Sequence, residues 1–180
     1  YKTLSNPIPQ EVPHARPSNR QSPSECELMA SDEFDKVELP ALEQLQSLGW
    51  SYVEGAKLSP DESDERSSLK DVVLEKRLTT SLKRINPWIN DENLRKVVRD
   101  LTKTLYPNLV EANQAIWTQI NQSVSVMQDL GKGNKGQTVH IIDFENPDNN
   151  EFLCTNQFKV SGVNQNIIPD ILCFVNGLPL

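Results

Sequence analysis

The chain has 180 residues, 37% of them hydrophobic and 24% charged, with a net charge of −7. This is enough for one domain with a modest core and an unstructured tail, and no apolar run approaches the roughly 20 residues that cross a bilayer. The N-terminus also lacks the apolar core of a signal peptide, so the expectation is a soluble, cytoplasmic protein with no membrane partner.

Residues 1–27 hold Pro7, Pro9, Pro13, Pro17 and Pro23 among Ser, Asn and Gln, and form a disordered or draped arm. The body of the fold is expected in residues 28–180. From Asp32 to Leu48, Phe34, Val37, Leu42, Leu45 and Leu48 recur at helical spacing, with Gly49 as the stop. Pro40 fits only a first turn, so the regular helix should begin near Leu39. A helical extension aims Glu38 along the buried stripe, although an acidic residue at a helix N-terminus needs no further role. Trp50 to Gly55 reads as a short strand, and the acidic, serine-rich segment to Ser68 as a mobile loop.

Three helices follow. Leu74, Leu78, Leu82 and Ile85 mark the first, which Asn86-Pro87 ends. Leu94, Val98, Leu101 and Leu105 mark the second, capped by Asn90 or Asp91 and closed by Pro107. The third is expected from Asn108 to Gln128, with Leu109, Ala112, Ile116, Ile120, Val124 and Met127 facing inward. From Arg66 to Tyr106 there are ten basic and five acidic residues, a local excess of +5. Such a region is either a solvated face or a surface for a polyanion, with Lys83 and Arg84 among its candidates.

Gly131-Lys132-Gly133-Asn134-Lys135-Gly136 matches G-x-G-x-x-G, but a dinucleotide fingerprint needs a strand before it and a helix after it. Here a helix is expected before and a strand after. The run reads as a flexible connector whose Lys132 and Lys135 could touch a nucleic-acid backbone. Strands are then expected at Val139 to Phe144 and at Glu151 to Val160, the latter with Phe152, Cys154, Phe158 and Val160 on one face, the two pairing as a hairpin across the turn-rich Glu145 to Asn150. Cys26, Cys154 and Cys173 lack metal-ligand spacing and read as small hydrophobes. His14 lies in the arm without ligand partners nearby and His140 in an expected strand, so neither supports a histidine-based mechanism.

The last fourteen residues, Ile167 to Leu180, carry the sharpest signal. Pro169 suits a strand entrance, Asp170 opens an apolar run with both faces buried, and Asn176-Gly177 is a hairpin turn. A carboxylate at the mouth of a buried strand either caps the preceding turn or serves as a metal ligand at the sheet end.

P-D-I-L-C-F-V-N-G-L-P-L at 169–180 resembles the start of the nuclease motif in the restriction and translocation subunit of type I restriction enzymes. E-x-x-x-x-E-Q-L-x-x-L-G-W at 38–50, D-V-V-L at 71–74, R-I-N-P at 84–87, I-I-D-F-E-N-P-D-N-N-E-F at 141–152 and N-Q-F-K-V at 156–160 extend the resemblance in order across residues 38–180. It implies a PD-(D/E)xK nuclease domain: an α/β, restriction-endonuclease-like mixed sheet flanked by helices, incomplete at the C-terminus because Glu-x-Lys would follow Leu180. By the same resemblance Asp170 matches the motif Asp and Glu38 the first-helix glutamate, together holding Mg²⁺. The implied activity is ATP-dependent cleavage of double-stranded DNA, with ATP used only by motor domains elsewhere on the polypeptide and with specificity and methylation subunits as partners. The fragment alone would be inactive. The alternative is a non-catalytic docking module joining the motor to the methylation complex.

Overall fold

The computed structural model describes residues 34–102, 109–162 and 165–180. The expected arm with His14 and Cys26, and the segment with Lys103, Leu105 and Pro107, lie outside them.

A π-helical turn at Phe34–Glu38 leads into helix α1 (Leu39–Ser47), with Pro40 in the first turn. Gly49 ends it at φ 94°, a conformation that glycine adopts without strain. Strand β1 (Ser51–Tyr52) follows. The segment expected as a mobile loop is packed instead. A 3-10 turn at Gly55–Leu58 buries Leu58. The buried Arg66 stacks its guanidinium 4.1 Å from the centre of the Phe158 ring and donates to the Leu69 and Lys159 carbonyls at 2.8 and 3.0 Å. One cation with its flat face and both terminal NH₂ groups engaged pins a segment whose local composition looks solvated.

Helices α2 (Glu75–Ile85) and α3 (Asp91–Thr102) bury Leu78, Leu82, Leu94, Val98 and Leu101, as their stripes predict. Asn90 is the cap of α3: its Oδ1 accepts the Asn93 N–H at 2.8 Å. Helix α4 (Leu109–Gln122) is shorter than expected. Ser123 breaks it at φ 65°, and strand β2 (Val124–Asp129) pairs antiparallel with β3 (Asn134–Val139). Val124 and Val126 alternate as a strand does, and a full antiparallel ladder outcompetes one more helical turn. Ile116, Ile120, Val124 and Val126 still reach the core, whereas Met127 points away from it, 59% exposed.

The glycine-rich run is therefore the tip of the β2–β3 hairpin, preceded by a strand where a helix was expected. It is also not a loose connector. The Asp129 carboxylate accepts the N–H groups of Gly131 and Lys132 at 2.7 and 3.1 Å, which fixes the turn.

Strand β4 (Phe152–Asn156) precedes two short strands, β5 (Val160–Ser161) and β6 (Asn166–Ile167), and then β7 (Ile171–Val175) and β8 (Leu178–Pro179). The continuous strand expected over 151–160 breaks at Gln157, φ 51°, so Phe158 packs with Leu153 and Phe174 rather than sharing a face with Phe152 and Cys154. The expected hairpin of 139–144 with 151–160 does not form either. Residues 140–144 are not a strand, and β4 lies between β1, parallel, and β7, antiparallel, in a mixed sheet of order β1-β4-β7-β8. The class is α/β, as the sequence implies, with β7 an interior strand. Cys154 faces Cys173 across the ladder as free thiols, and burial pushes both pKa values up.

The turn between β7 and β8 has Asn176 at φ 52° and Gly177 at φ 81°, the two positive values of a type I′ hairpin. It is buried against the start of α2, where the Leu74 N–H donates to the Gly177 carbonyl at 2.9 Å. Beyond the short α2 approach, a Cβ on Gly177 would lie 2.5 Å from the Leu74 carbonyl oxygen, so glycine is required twice over.

Candidate active site

At the end of the sheet opposite this turn, three chain segments meet. Tyr52 ends β1, Asn156 ends β4 and is followed by Gln157, and Asp170 immediately precedes β7. The registers bring them together, because Tyr52 pairs with Cys154 and Asn156 pairs with Ile171.

Asp170 is exposed at the strand mouth. Its carbonyl accepts the Gln157 N–H at 3.2 Å, while its carboxylate makes no hydrogen bond or ion pair among the described residues. It caps no turn. Glu38 is the converse case: its side chain is buried, 8% exposed, at the junction of the π-helical turn and α1. Its side chain makes no capping hydrogen bond there. Both of its oxygens lie 3.5 Å from the Gln157 Nε2, and no cation pairs with it among the described residues. A buried carboxylate normally has a cation, a metal or several good donors. Glu38 has one long contact to a neutral amide.

Gln157 is thus common to both carboxylate residues, through its side chain to Glu38 and its backbone to Asp170. Tyr52 stands beside them. Its hydroxyl donates to the Asn156 Oδ1 at 2.8 Å. Burial raises the phenol's pKa, with further contributions from the negative charges of Glu54, Cys154 and Glu38. From below, Gly55 lies so close that a Cβ would stand 2.2 Å from the Asn156 carbonyl oxygen. The backbone at 156–157 is therefore held from two sides.

Glu38, buried without a cation, and Asp170, exposed to solvent, are hard oxygen ligands at one sheet end, suited to Mg²⁺ in kind but fewer than its usual six donors. No three His, Cys, Asp or Glu side chains converge as a metal site among the described residues. A cleft of about 850 Å³, lined by residues between Asp64 and Val73, by α2 and by Thr102 of α3, contains neither Glu38 nor Asp170.

The four basic candidates divide. Lys83 is committed to the Ile89 carbonyl and the Asp91 carboxylate at 3.0 and 3.1 Å, and Arg84 to the Asn149 carbonyl at 2.9 Å. Lys132 and Lys135 are exposed near the tip of the β2–β3 hairpin, away from such internal partners. Gln157 was not singled out from the sequence, where it falls inside the expected strand 151–160. The N-Q-F-K-V run flagged its neighbourhood, but only the backbone reversal shows why a glutamine there differs from its strand neighbours.

Comparison with known proteins adds an independent line. Residues 31–180 match the family described as the type I restriction enzyme R protein N terminus. The chain is 35% identical over 147 residues to a Methanocaldococcus jannaschii protein assigned as the type I restriction enzyme MjaIXP endonuclease subunit, covering 80% of this chain and 14% of that protein. It is likewise 35% identical over 146 residues to the type I restriction enzyme HindI endonuclease subunit of Haemophilus influenzae, again over 80% of this chain and 14% of the relative. The chain thus spans about one seventh of the length of these relatives.

Proposed function

The chain belongs to the family of type I restriction enzyme R protein N termini, and from that premise we propose that it is the first part of a Mg²⁺-dependent nuclease domain that cleaves double-stranded DNA. In this reading the full-length polypeptide carries the ATP-driven motor and works in the cytoplasm with specificity and methylation subunits, while this portion alone is inactive.

The observation that carries the reading is the pair of carboxylates, Glu38 and Asp170, left without cationic partners around one residue. Glu38 contributes a buried oxygen donor whose charge the protein leaves unneutralised. Asp170 contributes an exposed one at the mouth of an interior strand, accessible to a phosphodiester. A bound Mg²⁺ would polarise the scissile phosphate and lower the pKa of attacking water. The hairpin register supplies a third support. Val175 faces Leu178 and Phe174 faces Pro179, so each further residue of β8 meets the preceding residue of β7. The Leu180 N–H already donates to the Cys173 carbonyl at 3.0 Å. A strand continuing in this register brings its third residue after Leu180 opposite Asp170, where the motif's Glu-x-Lys would fall beside the carboxylates.

The test is Mg²⁺-dependent DNA cleavage by the full-length polypeptide in its assembled complex. Asp170→Ala should reduce cleavage at least 100-fold while ATP hydrolysis persists, and undiminished cutting would sink the assignment.

A second reading, as a docking module, has one observation in its favour. Along α4, Val110, Asn113, Gln114, Trp117, Thr118 and Asn121 are exposed on one side, with Glu111 at its edge and Trp117 67% exposed. Large aromatic side chains exposed on a surface are common centres of protein interfaces. On this reading Trp117→Lys disrupts assembly of the complex, and Asp170→Ala leaves both assembly and cutting intact.

A further inference from the structure

Gln157 occupies a backbone conformation, φ 51°, that costs a non-glycine residue on the order of 1 kcal/mol. It stays there because both of its ends are tethered. The N–H donates to the Asp170 carbonyl at 3.2 Å, and the side-chain amide faces both oxygens of Glu38 at 3.5 Å. Beneath it, Gly55 approaches the 156–157 backbone more closely than any side chain allows, with a built Cβ 2.9 Å from the Gln157 carbonyl oxygen. An ordinary strand continuation would have sent this side chain to one face of the sheet. The left-handed kink aims it at Glu38 instead.

The chemistry of the residue matters as much as its place. A lysine or arginine here would neutralise the buried Glu38 carboxylate and compete with any metal for it. An aliphatic side chain would leave the carboxylate free to rotate. A neutral amide presents N–H groups that orient the two oxygens but leaves the negative charge for another cation, which is how partners behind metal ligands commonly act. The contact to Glu38, at 3.5 Å, is long for a charge-assisted hydrogen bond and leaves the carboxylate's charge for another cation.

Resting on the nuclease reading above, we propose that Gln157 is a positioning residue that fixes Glu38 and Asp170 relative to each other as a divalent-metal site. One side chain sets the buried ligand, and the backbone of the same residue sets the start of the strand bearing the exposed one.

The experiment is Mn²⁺ binding to the ATP-free full-length polypeptide, followed by electron paramagnetic resonance, alongside Mg²⁺-dependent cleavage by the assembled complex. Gln157→Gly keeps the backbone conformation and removes the amide. Gln157→Asn tolerates the same φ and shortens the reach, which keeps the test open should the glycine variant fold poorly. Both should weaken Mn²⁺ binding at the Asp170-dependent site about 10-fold, as loss of a partner behind a metal ligand typically does, without lowering the midpoint of thermal unfolding. The double variant with Glu38→Ala should bind no more weakly than Glu38→Ala alone, because the two residues act through one carboxylate. Unchanged Mn²⁺ affinity in both Gln157 variants, where Asp170→Ala abolishes the site, would overturn this proposal and leave the nuclease reading standing. Unchanged Mn²⁺ binding and cleavage in Asp170→Ala would bring down both.

Discussion

Substitution of Asn176 probes whether the turn that joins β7 to β8 is a structural keystone. Its side chain is completely buried and fully used: Oδ1 accepts the Glu151 N–H at 2.8 Å, and Nδ2 donates to the Ile141 carbonyl and the Asn150 Oδ1, both at 2.9 Å. Asn176→Ala removes three hydrogen bonds, each contributing about 1 kcal/mol net, and leaves buried partners unpaired, for a loss of roughly 3 kcal/mol. Its left-handed backbone adds about 1 kcal/mol for any residue with an ordinary Cβ, so the total is about 4 kcal/mol. Asn176→Gly loses the same hydrogen bonds but keeps the φ of 52° without strain, and should cost about 3 kcal/mol. Urea unfolding followed by circular dichroism measures both. The expected order is native, then glycine, then alanine, with an unchanged dependence on urea. Losses under about 1 kcal/mol in both variants would refute the hydrogen-bond accounting. A loss in alanine with none in glycine would show that only backbone conformation matters.

Other outcomes follow from the same geometry. Gly177→Ala and Gly131→Ala share a positive φ, 81° and 91°, but only the first places its Cβ against backbone; unfolding should show about 1 kcal/mol lost at Gly131 and at least 2 kcal/mol more at Gly177. Replacing both Lys132 and Lys135 by alanine should reduce the salt dependence of DNA binding, with the log–log slope falling by roughly 2, whereas Lys83→Ala with Arg84→Ala should leave the slope unchanged. An unchanged slope in the first pair would return the hairpin tip to an ordinary solvated surface. The Asn149 side chain and the Asn146 and Glu145 N–H groups hold the Asp143 carboxyl below its usual 3.8. A depressed carboxyl stabilises the fold above its unfolded pKa and loses that contribution as pH falls through the folded value. Asp143→Asn should therefore flatten the acid side of the stability curve below about pH 4, and an unchanged curve would remove Asp143 from that account.

Long periodic segments were legible because a single face decides them. The stripes of α1, α2 and α3 needed only the spacing of leucines and valines, and the Asn176-Gly177 turn only its two residues. Misreadings fell where two periods compete or a distant partner decides. Ile116, Ile120, Val124 and Met127 fit a helix continued past Gln122, yet pairing with Asn134–Val139 claims residues 124–129 as a strand. Nothing local announces that partner. Arg66 is similar: its serines and acids suggest a solvated loop, and the deciding contact, the Phe158 ring, lies far along the chain.

The candidate site divides along the same line. Asp170 was conspicuous because it is a charge opening an apolar run, and the structure places it at the mouth of the interior strand β7, where its carboxylate stays exposed to solvent. Glu38 was ambiguous because an acidic residue near a helix start already has a sufficient local reason to be there. What separates the two explanations is burial without a cap or a cation, and that depends on β4 ending beneath it. Gln157 had no local reason to be noticed at all. A glutamine in a run of polar and aromatic residues acquires meaning only when the strand stops, the backbone reverses at φ 51°, and one residue touches both carboxylate-bearing segments. Residues that carry charge against the local pattern can be read one at a time. A residue whose effect is to fix two others relative to each other becomes visible only when all three are in place.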